Sequence, residues 1–197
     1  MNRQVFLRNV LAGTTLRSTK AFAASDAFID ELLPAPPSGG FRMSGYWVWP
    51  PALFKAEDGR YHMFASRWSK DLGFGHWVSN SEIVRAVSDR PEGPYEYVET
   101  VLQPRKKQSI DGLITHNTRI TKYKNQYLLY YMGSTYAFSI PQDREEISLD
   151  GRATAAWMNK RIGLAVADKI AGPSKRVDQP LLLPRTERLP SPLLPHP

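Results

Sequence analysis

The chain of 197 residues is 42% hydrophobic and 11% aromatic, which suits one folded domain with its own core and excludes a disordered chain. Cysteine is absent, excluding a disulfide framework, a thiolate metal site and a thiol nucleophile. The net charge is +7, but four of those charges (Arg3, Arg8, Arg17 and Lys20) fall within residues 1–23, leaving +3 for the rest; with only short basic runs such as "PRKKQ" at 104–108, no nucleic-acid partner is expected.

Residues 1–23 read as an address. A basic start, an apolar run from Val10 to Leu16 and Ala-Phe-Ala at 21–23 are the parts of an export signal with its cleavage site. The stretch "RQVFLR" resembles a twin-arginine signal in which Gln4 stands where the second arginine belongs, and Arg17 and Lys20 interrupt the apolar part. A periplasmic or extracellular protein is the expectation. No run approaches the roughly 20 apolar residues of a membrane span. Residues 24–44, with "LLPAPP" and "SGG", read as a linker.

From residue 45 the chain repeats itself. "WPPALFKAE" (49–57) and "DGRYHMFAS" (58–66) correspond to "HNTRITKYK" (116–124) and "KNQYLLYYM" (124–132). Further on, Ala86-Val87-Ser88-Asp89 and Gly93-Pro94 correspond to Ala165-Val166-Ala167-Asp168 and Gly172-Pro173, and "LQPR" at 102–105 to "LLPR" at 182–185. Each copy holds four short runs rich in Tyr, Phe, Val and Ile, residues that favour a half-buried pleated surface. "DG" at 58–59 and "KN" at 124–125 mark hairpins between runs one and two, and "DRPEGP" and "DKIAGP" mark turns between runs three and four. Four antiparallel strands recurring at a period of about 66–80 residues describe an all-β protein of β-propeller type, with a β-sandwich as the alternative. Two repeats are expected, 45–105 and 111–185, with an irregular Pro/Leu-rich tail at 186–197. The connections between runs two and three are long. In copy one, 67–81 carries Trp68, Phe74, His76 and Trp77; in copy two, 139–160 reads as an elaborated loop or short helix.

These pieces together resemble the five-bladed propeller glycosidases around glycoside hydrolase family 43. The resemblance is carried by "GYWVWPPALFKAEDGRYHMFASRW" (45–68), "SEIVRAVSDRPEGPYEYVETVL" (81–102) and "DGLITHNTRITKYKNQYLLYYMGST" (111–135), followed by "RIGLAVADKIAGPSKRVDQPLLLPR". It implies five blades, of which only two are recognisable, so an N-terminal fragment is expected. It also implies an Asp base on the first blade, an Asp on the second that tunes the acid, and a Glu acid on the third. The first two positions are occupied here by Pro50-Pro51 and Asn117-Thr118, and the third blade has no counterpart.

The remaining candidates for proton transfer are Asp111, ahead of the inner strand, Glu82, at the start of a third strand, and His116 beside Asn117. Asp-Gly is also an ordinary turn pair, and a Glu at a strand end is ordinarily solvated. For substrate binding the candidates are Trp47 and Trp49, which share a strand face, Trp68 as a further stacking platform, Arg67 as a clamp on a hydroxyl or an acidic sugar, and Asn117 as a hydrogen-bond partner. The four histidines show no metal-ligand spacing, and neither metal nor cofactor is expected. Two functions follow: a glycoside hydrolase-like propeller acting on poly- or oligosaccharide, or a non-catalytic propeller remnant that binds carbohydrate or protein. A related phosphorylase or fructosyl-transferring enzyme would use the same fold.

Overall fold

The computed structural model describes residues 34–106, 108–135 and 156–183. The export signal expected over 1–23, the first part of the linker, most of the connection 139–160 and the tail 186–197 lie outside the described residues.

Each copy forms one four-stranded antiparallel sheet whose strands pair in chain order. The first sheet holds β1 (Tyr46–Lys55), β2 (Tyr61–Ser69), β3 (Glu82–Ser88) and β4 (Glu96–Leu102). The second holds β5 (Ile114–Tyr123), β6 (Gln126–Ser134), β7 (Arg161–Ala167) and β8 (Lys175–Leu182). A four-stranded meander is a propeller blade. The hairpins fall where the sequence marks them, with Gly59 at φ 81° and Lys124 at φ 53° in the left-handed region that such tight turns require. Arg67 and Trp68 belong to β2 rather than to the connection after it, which begins at Lys70.

The turns before β4 and β8 each contain a Gly at positive φ, Gly93 and Gly172. At Gly93 a Cβ would stand 2.9 Å from both N and O of Gly40. That close approach lets Gly40 N donate to Glu92 O (2.7 Å) and accept from Tyr95 N through its own carbonyl (2.9 Å). The last part of the segment expected to be a linker is thereby docked on blade one, with Phe41 packed against Met63, Ala86 and Tyr95.

Strand β5 lies against β1, β2 and β3, so the second blade is laid over the first. Phe64, Ile83 and Leu102 of blade one share a buried cluster with Ile120, Leu129 and Tyr131 of blade two. Each such side chain stabilises the fold by roughly 1.5–3 kcal/mol of burial. Polar groups inside this dry seam are paired across it. Thr115 N donates to Ser81 O (3.1 Å), Thr115 Oγ1 to Leu102 O (2.6 Å) and Thr118 Oγ1 to Phe64 O (3.0 Å). On the opposite rim Glu57 accepts from both Lys122 and Tyr127.

The two blades fill one buried position in opposite ways. Ala65 faces Val84 across β2 and β3, whereas the matching pair across β6 and β7 is Tyr131 and Gly163. A Cβ on Gly163 would stand 2.5 Å from Cζ of Tyr131. The ring is fully buried and its hydroxyl is held by Asp111 at 3.0 Å, so it has nowhere to retreat. Gly163→Ala is expected to destabilise by about 1–3 kcal/mol through overpacking, read from urea unfolding. A variant as stable as the parent would show that the Tyr131 ring has room to shift.

Candidate functional site

Two β-bulges build the site. Strand β1 loses register with β2 between Trp49 and Ala52, and β5 loses register with β6 between His116 and Arg119. The interrupting residues are Pro50-Pro51 and Asn117-Thr118, the positions that correspond between the two copies. Proline cannot donate to the ladder, which forces the first bulge. Asn117 supports the second by adopting φ 46°, a left-handed conformation that asparagine tolerates, while its N–H donates to Ser66 Oγ at 2.9 Å. Trp49 and His116, the residues just before each bulge, line one cleft of about 310 Å³.

The floor of this cleft is aromatic. Trp68, buried on β2, donates its Nε1 to the carbonyl of Phe74 at 2.9 Å and holds the connection between β2 and β3 in place. That connection ends in a single helical turn, α1 (Trp77–Asn80). Trp77 stacks on the His116 ring at 5.1 Å between centroids and 28° between planes, and packs against Leu113, Ile114, Met132 and Ala156. The far wall is Trp157, with the Lys160 ammonium 3.9 Å from its ring centroid.

His116 is buried, and its Nδ1 lies 2.6 Å from Ser81 Oγ. The single Ser81 hydroxyl proton is given to the Thr115 carbonyl at 2.8 Å, so Nδ1–H donates to the serine oxygen. The neutral ring then carries its lone pair on Nε2, which bonds to no protein group among the described residues. Burial, aided by the Lys160 charge, pushes the imidazole pKa down to about 4. At neutral pH His116 is an uncharged acceptor. The exposed Asn117 amide beside it offers both donor and acceptor, and Lys160, whose pKa burial lowers, is the one ammonium of the described lining.

Of the residues expected from sequence, Trp49, Trp68, His116 and Asn117 come together here. Trp47 does not line the cleft: it stands edge-on behind Phe74 at 5.3 Å, with Lys70 over its other side at 5.0 Å. Arg67 and Glu82 are partners of each other, cross-strand neighbours joined at 2.9 Å. The Arg67 guanidinium is sandwiched between Tyr46 (4.4 Å) and Tyr97 (4.8 Å) and donates to Thr100 Oγ1. Adjacent strand residues point to opposite faces, so Trp68 enters the cleft and Arg67 faces away. Asp111 is fully buried outside the cleft, its carboxylate held by Arg105 (2.5 Å), Arg176 (2.7 Å), Tyr131 (3.0 Å) and Ser109 (3.1 Å). Phe74, Trp77, Met132, Trp157 and Lys160 complete the lining; the concentration of aromatics in the connection after β2 was the only sign of the first two.

No Asp or Glu lines the cleft among the described residues, and these hold no group of three or more His, Asp or Glu able to bind a metal. Nor is any helix among them long and apolar enough to cross a membrane. A larger, open depression of about 720 Å³ lies beside β8, but no aromatic ring is among its described walls, and its Asp178 is tied to Arg105 at 2.5 Å.

Two meander blades laid one over the other through an inner-strand seam are also found in a propeller-fold glycoside hydrolase of family 117. Zg3597, a family 117 glycoside hydrolase of the marine bacterium Zobellia galactanivorans, superposes with a TM-score of 0.53 and 21% identity, covering 78% of this chain and 38% of that one. A family 43 enzyme of Xanthomonas citri complexed with xylotriose matches at a TM-score of 0.49 and 17% identity, over 70% of this chain and 34% of its own. At these identities the likeness is one of fold, and the chain spans between a third and two-fifths of the length of these neighbours. No protein-family model matches the chain, and no curated protein does.

Proposed function

We propose that the cleft around His116 binds a saccharide, in a protein built on the glycoside hydrolase propeller. The observation that carries this reading is the convergence of Trp49, Trp68, Trp77 and Trp157 on one cleft with an open amide and a buried imidazole acceptor among its walls. Indole faces pack against the C–H faces of sugar rings, and the amide and imidazole supply the few oriented polar groups that hydroxyls need. An exported protein, as residues 1–23 suggest, would meet such glycans outside the cell.

Hydrolysis is the second reading, favoured by the fold it shares with glycoside hydrolases. The reaction needs two carboxyl groups flanking the scissile bond. The described lining has none, and those of Glu82 and Asp111 are bonded to arginines elsewhere. Binding therefore takes precedence.

Trp49 is about half exposed, so its removal leaves the seam intact. Trp49→Ala is expected to weaken binding of neutral oligosaccharides such as xylotriose roughly tenfold in titration calorimetry, as truncating an aromatic anchor does. Unchanged affinity would remove the cleft from the binding site. Release of reducing ends by the unaltered protein would bring the second reading forward.

A further inference from the structure

The electrostatics of the cleft go beyond saccharide binding in general. Its described walls carry one ammonium, that of Lys160, and no carboxylate. The imidazole of His116 is neutral at working pH. Lys160 makes no ion pair among the described residues, and its ammonium lies 3.9 Å from the ring centroid of Trp157. A half-buried ammonium over an indole is held in place but not neutralised, since the ring supplies a quadrupole and no charge. Burial lowers its pKa, and no carboxylate among the described residues offsets that effect.

Arg67, the cation expected from sequence to clamp an acidic sugar, is committed to Glu82, and Arg105 and Arg176 are committed to Asp111. Lys70 lies on the far side of Trp47, outside the lining.

We propose that the cleft selects an anionic saccharide, one whose ring carries a carboxylate or a sulfate, and that Lys160 is the residue that pairs with that group. The inference rests on the saccharide reading above and adds the charge. The ring of the ligand stacks on the indoles, Asn117 and His116 take hydroxyls, and the anion pairs with Lys160. In a partly desolvated cleft a charge-assisted hydrogen bond is about twice as strong as a neutral one, and like charges on the protein would reject the same ligand. A uronate and a sulfate ester offer the same chemistry to an ammonium, so the two are separated by experiment.

The test uses the full chain on an array of oligosaccharides in matched neutral, uronate and sulfated forms, followed by calorimetry on the best of each. The variants are Lys160→Met, which keeps the length and the contact with Trp157, and Lys160→Arg, which keeps the charge. The expected result is an affinity for an acidic ligand roughly tenfold or more above its neutral counterpart. Lys160→Met should abolish that preference, and Lys160→Arg should retain it. The preference should also shrink at high salt, where the neutral ligand is indifferent. Tighter binding of the uronate than the sulfate, or the reverse, identifies the source of the anion, and either supports the proposal.

Neutral ligands that bind as tightly as acidic ones, or a preference that survives Lys160→Met, overturn the anionic assignment and leave the saccharide reading standing. Binding of no saccharide at all overturns both.

Discussion

Replacing Asp111 by alanine is expected to destabilise the protein by about 3–5 kcal/mol, the range for breaking a buried ion pair from one side. Its carboxylate accepts from Arg105 on the connection between the blades, from Arg176 on the outermost strand of blade two, and from Tyr131 on β6. One side chain therefore ties the entry of blade two to both its middle and its edge. Both arginines are largely buried, and removal of the acid would leave two guanidinium groups beside each other without the carboxylate they share. For Arg105, burial works against the charge, and the hydrogen bonds to Asp178 and Asp111 outweigh it and raise the pKa. Asp178 is mostly exposed, and its pairing is screened accordingly. Tyr131→Phe is the control, because it removes one of the carboxylate's bonds and no charge; a loss of about 1 kcal/mol is expected. Urea unfolding followed by tryptophan fluorescence measures both. If Asp111→Ala stayed within 1 kcal/mol of the parent yet lost saccharide binding, Asp111 would move from the frame to the site.

The same residue shows what a sequence can and cannot say. Asp111-Gly112 is a turn pair by composition, and nothing nearby announces that Arg176, 65 residues on, completes it. Arg67 and Glu82 were closer to legible. Both stand in strands joined by one connection, and counting the antiparallel register outward from Tyr61 opposite Ser88 places them directly across from each other. The blades themselves were plain because their signals are local: alternating β-branched and aromatic residues, tight hairpin pairs and Gly-Pro turns. The bulges were visible only as a gap, Pro50-Pro51 and Asn117-Thr118 standing where the resembled enzymes have aspartates. What the gap does, turning Trp49 and His116 into one cleft, depends on how β5 lies over blade one. Lys160 was not singled out, and Trp157 ranked behind Trp47 and Trp49, for a similar reason. Lys160 and Trp157 sit at the end of a long polar connection, where no periodicity assigns a face.

Between pH 6.5 and pH 4, folding is expected to lose about 3 kcal/mol through His116 alone. In the unfolded chain an imidazole takes its proton near pH 6.5, whereas burial between Trp77 and Trp68, with the Lys160 charge close by, holds the folded group neutral down to about 4. Across that window the unfolded state binds more protons, so stability is full above pH 6.5 and declines as pH falls toward 4. Glutamine at this position cannot titrate. The difference in unfolding free energy between the parent and His116→Gln should therefore shrink by about 3 kcal/mol from pH 7 to pH 4. Glu57, whose pKa its hydrogen bonds from Lys122 and Tyr127 lower to about 2, contributes stability that is lost as pH falls from the ordinary carboxylate pKa toward 2, and it does so equally in both proteins. The cleft should follow the same curve, because protonating Nε2 removes the acceptor and sets a second positive charge beside Lys160. Neutral saccharides would then lose a partner at low pH. Parallel stability curves for the two proteins would mean that His116 accepts its proton in place, with water reaching a ring that the two indoles were taken to seal.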